Sequence, residues 1–315
     1  MMIQNELTYI QMVYQKGSFS KAAQALCLTQ PALSIAIHKI EDEIGMPLFD
    51  RNQKPLGLTE AGHLYISKIK QMQILEDELK SQLLDLSSMN RGSIKIGATS
   101  YIISCILPPV LMRFKQQYPS IQLNIIEAGS YELREMLQEQ KLDMTFVSQL
   151  EKDSHFSRHP GFQDHLILSV PVSFQINEAL KDFALSGRDI RSGRHLDVSF
   201  PSVDLKVFKK TPFILLEDKY NLRVRANAFF EEVGIQPNIC MEAAQILTTY
   251  ALARAGIGAV FLPDRAVGGD SSETVFYKLA SSQTARDMSI ATNSKSYISC
   301  ATQRFIEEFS AYYSN

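Results

Sequence analysis

The chain has 315 residues, enough for two or three domains, and its 45% hydrophobic and 21% charged content matches an ordinary globular protein. A net charge of −2 excludes a nucleic-acid binder that works by bulk positive charge. No apolar run approaches the roughly 18 residues of a membrane span, and the polar start MMIQNELTYIQMVYQKG is no signal peptide, so the expected location is cytoplasmic. Cys27, Cys105, Cys240 and Cys300 form no CxxC pair, a spacing that suits reduced thiols.

Residues 18–45, SFSKAAQALCLTQPALSIAIHKIEDEIG, hold two short helical patterns with very little turn between them. Ser18 or Ser20 can cap the first, and its Ala22 and Ala23 permit a close crossing. On the second, at about 100° per residue, Leu33, Ile37, Ile40 and Ile44 fall on one buried stripe. Pro31 suits its first turn. The opposite face collects Pro31, Ser34, Ile35, His38 and Lys39, while Glu41, Asp42 and Glu43 sit in the last turns. Two packed helices with a tight turn form a helix-turn-helix, whose second helix enters a major groove N-terminus first. The segment PLFDRNQKPLGLTEAGH then reads as a β-hairpin wing with Arg51 and Lys54 near phosphates. Five basic and five acidic side chains balance over residues 1–58, so any DNA affinity depends on sorting charge by face.

Thr59 opens a long helical run that Asn90-Arg91-Gly92 ends. Within it Tyr65, Ile69, Met72, Leu79, Leu83 and Leu86 follow 4-3 spacing, with Glu76 the only polar intruder, a pattern for helix pairing between chains. Beyond Gly92, IKIGATS, QLNIIEAGS and LDMTFVSQ alternate with helical patterns and imply a parallel-type α/β sheet. Residues 185–204 read as a loop or insertion.

Ligands of such sheets bind outside the carboxyl ends of strands. Those ends carry Thr99, Ser100 and Tyr101, then Gly129 and Ser130, then Ser148, then Asp218. Their hydroxyl groups suit a small polar or anionic metabolite, and Ser100 and Ser130 rank first because capping and ligand contact are compatible there. The basic cluster around Arg188, Arg191, Arg194 and His195 reads as a solvated loop. His155, His159 and His165 have a metal-like spacing, but Pro160-Gly161 interrupts any helix that would align them, so no metal or other cofactor is expected. Cys105 lies early in a helix, where the helix N-terminus is expected to lower the thiol pKa, the basis for reading it as a candidate redox sensor. No GxSxG, Walker loop or HExxH occurs, which opposes an enzyme.

The ordered set SFSKAAQAL, TQPALS, KIEDEIG, PLFDR and LTEAG resembles the winged helix-turn-helix of LysR-type transcriptional regulators. GSIKIG, LPPVLMRFKQQYPSIQL, KLDMTFV and ALARAGIGAVFLP resemble that family's effector-binding domain, with the weakest similarity over 150–210. The resemblance implies a winged head over 1–58, a linker and dimerisation helix over 59–91, and an α/β effector domain over 92–315. That last domain would be two-lobed and similar to type 2 periplasmic binding proteins, with lobe I about 92–163 and 268–315 and lobe II about 164–267. It assigns DNA contacts to Thr29, Gln30, Pro31, Ser34, His38, Lys39 and Arg51, beside the DNA-side serines Ser18 and Ser20. It also brings Gln245 and Thr248 to the effector cleft. A homodimer or a tetramer, and contact with RNA polymerase, follow from the same similarity. One departure stands out: Ile35 occupies a position where the family commonly has arginine. An exposed isoleucine can pack on a thymine methyl; alternatively it fills a gap against the wing. A solute-binding protein and an α/β enzyme are the competing classes, opposed by the helical prefix and by the missing catalytic constellation.

Overall fold

In the computed structural model, which describes residues 4–53, 55–86, 92–148, 155–218, 220–269 and 271–314, the chain falls into two units, Met1–Leu83 and Leu84–Asn315. The first unit opens with α1 (Gln4–Lys16), α2 (Phe19–Ala25) and α3 (Gln30–Ile44). The hairpin β1 (Phe49–Asp50) and β2 (Gly57–Leu58) follows, and then α4 (Glu60–Leu86). The Ser18 hydroxyl caps α2 by accepting from the Lys21 N–H at 3.5 Å, and Thr29 caps α3 by accepting from the Ala32 N–H at 3.3 Å. Gly45 ends α3 in the left-handed region at φ +76°, which glycine adopts without strain. Buried Ile10, Val13, Ala22, Ala23, Leu33, Ile37 and Ile40 form the core with Leu48, Phe49, Ile66 and Ile69. Ile44, expected in that stripe, is exposed, because the apolar core stops at Ile40 and Ile44 is the last residue of the helix, before the Gly45 cap. The first turn of α4 presses on the wing's root: a Cβ at Gly62 would lie 2.0 Å from the Leu48 carbonyl oxygen.

The second unit begins as the apolar pattern predicts, with β3 (Gly92–Ala98), a π turn (Ile102–Ile106), α5 (Leu107–Gln117), β4 (Ile121–Glu127), α6 (Ser130–Gln138) and β5 (Thr145–Ser148). It continues through β6 (Phe156–Pro171), α7 (Ile176–Ala179), α8 (Gly187–Arg191), β7 (Pro212–Leu216) and α9 (Asn221–Glu232). It ends with β8 (Asn238–Ala243), α10 (Ile246–Arg254), β9 (Val260–Pro263), β10 (Thr274–Tyr277), β11 (Ala285–Asn293) and α11 (Cys300–Tyr313). β3 pairs with β4 and β7 with β8 in parallel, as a helix-crossover chain requires.

To the parallel-type pairing expected from sequence, β6 adds antiparallel pairing. This 16-residue strand runs antiparallel to β9, β10 and β11, and β11 runs antiparallel to β5. Its first half, FSRHPGFQDH, shows no apolar alternation, so only pairing with β11 makes it a strand. Gly161 is the extra residue where the β11 register shifts between Met288 and Ser289, and a Cβ there would come 2.1 Å from the Met288 carbonyl oxygen. Further along, alternate β6 side chains feed two cores. Leu166, Leu168 and Val170 join Phe213, Phe229 and Phe261, whereas Ile167 joins Ile94, Ile96, Phe114 and Phe305.

The expected loop over 185–204 is also more ordered than its composition suggests. It contains α8, closed by a reciprocal Ser186–Asp189 capping box, and bridges from Leu185 to Phe276 and from Val203 to Leu279 pin its ends. Among the described residues no helix is long and apolar enough to cross a membrane.

Candidate DNA-reading face and effector cleft

On α3 the buried stripe leaves Gln30, Pro31, Ile35, His38 and Lys39 exposed and Ser34 half-buried. Ile35 is 69% exposed, so it does not fill a gap against the wing. The hydroxyls of Ser18 and Thr29 accept helix-capping bonds, while Ser20 is exposed. Lys54 lies outside the described residues.

One member of the acidic trio behaves unlike the others. Glu41 is buried, and its Oε1 accepts from the Leu48 N–H at 2.8 Å and the Phe49 N–H at 3.3 Å. Its Oε2 accepts from Arg51 Nη2 at 3.2 Å. Arg51 also places Nη1 2.7 Å from His38 Nε2 and stacks its guanidinium 5.1 Å from the Phe19 ring centroid. The wing arginine is therefore held on the α3 surface rather than extended from the hairpin tip. Periodicity alone missed Glu41, because its burial depends on the chain turning back through Leu48.

The pairing stripe on α4 needs a correction at its N-terminal end. Ile69 is 2% exposed within the head's own core and so is not free for a second helix, while Tyr65 is half-buried against that core. Met72, Leu79, Leu83 and Leu86 are exposed, and Leu75 joins them. Glu76 is paired along the helix with Lys80 at 2.8 Å. An unpartnered row of large apolar side chains along a helix marks an interaction surface.

In the second unit, the carboxyl ends of β3 and β5 and the N-termini of α6 and α10 surround a cavity of about 90 Å³. It collects Thr99, Ser100, Tyr101, Gly129, Ser130, Ser148 and Gln245 from the expected set. Asp218 and Thr248 do not line it. Asp218 is exposed and paired with Arg223 at 3.1 Å, and Thr248 is exposed while Ile246, Thr249 and Tyr250 take the buried side of α10. Ser100 Oγ donates to Gln245 Oε1 at 2.5 Å, joining the end of β3 to the cap position of α10.

Tyr101 lies deeper, where its hydroxyl donates to Asp164 Oδ2 at 2.8 Å. Burial and the neighbouring Asp164 carboxylate push its phenol well up, so it remains a donor. Arg286 closes the same buried group through Nε to Asp164 Oδ1 at 2.6 Å and Nη2 to Oδ2. Sequence reasoning missed Arg134, Arg286, Tyr220 and Asn221 in the lining. Arg134 follows Ser130 by one helical turn and was accessible to a spacing argument. Arg286 lies on β11, distant in sequence, and carried no local signal.

Two expectations about chemistry change, those for His195 and Cys105. His159 Nε2 meets Thr292 Oγ1 at 3.0 Å, whereas His165 joins His195 and Asp264, so the histidine run does not act as one group. Burial opposes ionisation of Asp264, yet hydrogen bonds from His165 and His195 hold its carboxyl well below the usual carboxylate range. His195, read from sequence as part of a solvated loop, is 4% exposed. Burial pushes the Cys105 thiol up rather than down, which removes the electrostatic basis for a reactive cysteine.

Residues 4–63 match the model of the bacterial regulatory helix-turn-helix protein, lysR family, and residues 87–189 and 190–313 match the LysR substrate binding domain. The chain belongs to the LysR family. It is a DNA-binding transcriptional regulator, with an N-terminal helix-turn-helix and a two-lobed substrate-binding domain, and not an enzyme. The uncharacterized HTH-type transcriptional regulator YybE of Bacillus subtilis is 27% identical over 300 residues, 95% of each chain. BenM of Acinetobacter baylyi is 26% identical, over 82% of this chain and 79% of its own. Among solved structures, full-length CbnR complexed with its target DNA shares the LysR fold, with a TM-score of 0.68 and 17% identity over 98% of this chain and 99% of that one.

Proposed function

We propose that this LysR regulator works in the cytoplasm as a dimer, or a tetramer built from two dimers, and reads its operator through the Gln30–Lys39 face of α3. Arg51 and the exposed Ser20 flank that face, and Ile35 makes an apolar base contact. The observation that carries this reading is the exposed face of Gln30, Pro31, Ile35, His38 and Lys39, with Ser34 half-buried among them and Glu41 buried and engaged, so that the exposed acids Asp42 and Glu43 come only in the last turns of the helix. Few cations per head make binding by one protomer weak, so the exposed Met72, Leu75, Leu79, Leu83 and Leu86 row supplies the second head by pairing α4 helices.

The effector enters the cavity between Ser100 and Gln245 and must replace their hydrogen bond. Its walls combine Ile102, Phe146, Leu216 and Met288 with the hydroxyls of Ser130 and Ser148 and the side chain of Arg134. That lining suits a small molecule with an apolar body and an anionic or hydrogen-bonding head. Binding favours one arrangement of the substrate-binding domain, and α4 passes the difference to the spacing of the DNA-reading heads. A gel-shift of the full chain against the DNA upstream of its own gene tests the core of the proposal. Binding that weakens steeply with salt is expected; no binding at low ionic strength would overturn it.

A further inference from the structure

His165 on β6, His195 in the turn Arg194–Leu196 and Asp264 just after β9 converge from three distant parts of the chain. Asp264 divides the work of its two oxygens. Oδ1 accepts from the backbone N–H of His165 at 3.1 Å and of Arg265 at 2.8 Å, which fixes the carboxylate plane. Oδ2 faces His195 Nε2 at 2.9 Å and His165 Nδ1 at 3.6 Å. All three facing atoms lie within 4.8 Å of one another.

A four-coordinate ion with bonds of about 2.1 Å holds its ligand atoms about 3.4 Å apart. The two measured edges to Asp264, 2.9 and 3.6 Å, bracket that spacing, and the third lies within 4.8 Å beside a His165 ring that is only partly buried. His195 is enclosed, and its Nε2 faces Asp264 Oδ2 at 2.9 Å. A cavity of about 130 Å³, lined by His165, His195, Leu196, Lys278 and Thr284, opens onto both imidazoles and leaves room for an ion to enter with a water. The Lys278 ammonium is held by the Asp197 and Phe200 carbonyls at 2.7 and 3.2 Å.

We propose that His165, His195 and Asp264 bind a divalent first-row transition metal of the zinc type, with a water in the remaining position. Two imidazoles and one carboxylate, without thiolate, suit zinc and its neighbours better than copper(I), and better than calcium or magnesium, which take oxygen ligands. The ion ties β6 to the two turns. It also braces the effector cavity from behind, because His165 follows Asp164, whose carboxylate holds Tyr101 and Arg286 in the lining.

The test uses the full chain, stripped with a chelator and titrated with zinc chloride against a competing chelating dye. A single tight zinc per chain is expected, together with a rise in melting temperature. Cobalt(II) in its place gives the visible absorption of a four-coordinate ion. His165→Gln keeps the backbone N–H bond to Asp264, so it is expected to melt like the wild type without metal. With zinc it loses affinity by at least about tenfold and shows no rise in melting temperature. Asp264→Asn, which keeps an acceptor for both backbone N–H groups, is a second variant with the same expected loss. A wild-type chain that takes up no zinc, or variants that bind it as tightly as the wild type through other residues, would overturn the assignment.

Discussion

Replacing Glu41 with alanine isolates what holds the wing to the recognition helix. The Glu41 carboxylate accepts from two buried backbone N–H groups, those of Leu48 and Phe49, and from Arg51. Removing it orphans both amides. Each hydrogen bond to a charged acceptor contributes about 1.5–3 kcal/mol, and the partly exposed Arg51 recovers water, so the loss of the two amide bonds is about 3–6 kcal/mol. That is a large share of the stability of a small domain, about 5–15 kcal/mol. Glu41→Gln keeps an acceptor oxygen without the charge, and is expected to lose about 1–2 kcal/mol. Asp42→Ala and Glu43→Ala alter exposed residues and are expected to stay within about 0.5 kcal/mol. Amide hydrogen exchange reads the effect locally: Glu41→Ala should speed exchange at Leu48 and Phe49 by orders of magnitude. If those two amides stay as protected as in the wild type, or if the three alanine substitutions at 41, 42 and 43 cost the same, the account of the wing's anchor is wrong.

Ile35→Arg should shift selected operators toward guanine at one position per half-site, read by sequencing bound random DNA; an unchanged preference would remove Ile35 from the interface. Ser100→Ala should abolish the thermal shift given by a true effector while leaving operator affinity intact, since Ser100 lies in the substrate-binding unit. The two ends of the α4 stripe should separate cleanly. Ile69→Ala is expected to destabilise the head by about 2–5 kcal/mol through a core cavity, seen in chemical unfolding. Leu79→Ala with Leu83→Ala should leave the head intact and weaken self-association, measured by sedimentation.

Local patterns carried much of this molecule in plain view. The α3 stripe of Leu33, Ile37 and Ile40, the Thr29 cap and the strand–helix alternation from β3 to β5 all rest on interactions between residues close in sequence, where spacing dictates which side chains share a face. The same logic placed Ser100, Ser130 and Ser148 at the ends of strands or starts of helices, and the cavity collects them. It failed where pairing across long separations decides. β6 is a strand because β11 supplies its partners, and Gly161 is tolerated because the bulge needs a residue without a side chain. Three adjacent acids look alike in sequence, yet only Glu41 meets the backbone of Leu48.

The helix caps, the buried stripe of α3 and the family were thus legible in the order of residues alone, since each depends on short-range spacing and motif order. Which half of the α4 stripe is consumed by the head, that Arg286 lines the cavity, and that His165 finds His195 and Asp264 were decided only by tertiary structure. Those outcomes depend on segments about 30 to more than 100 residues apart being brought within bonding distance, and the spacing of residues along a chain holds no record of that approach.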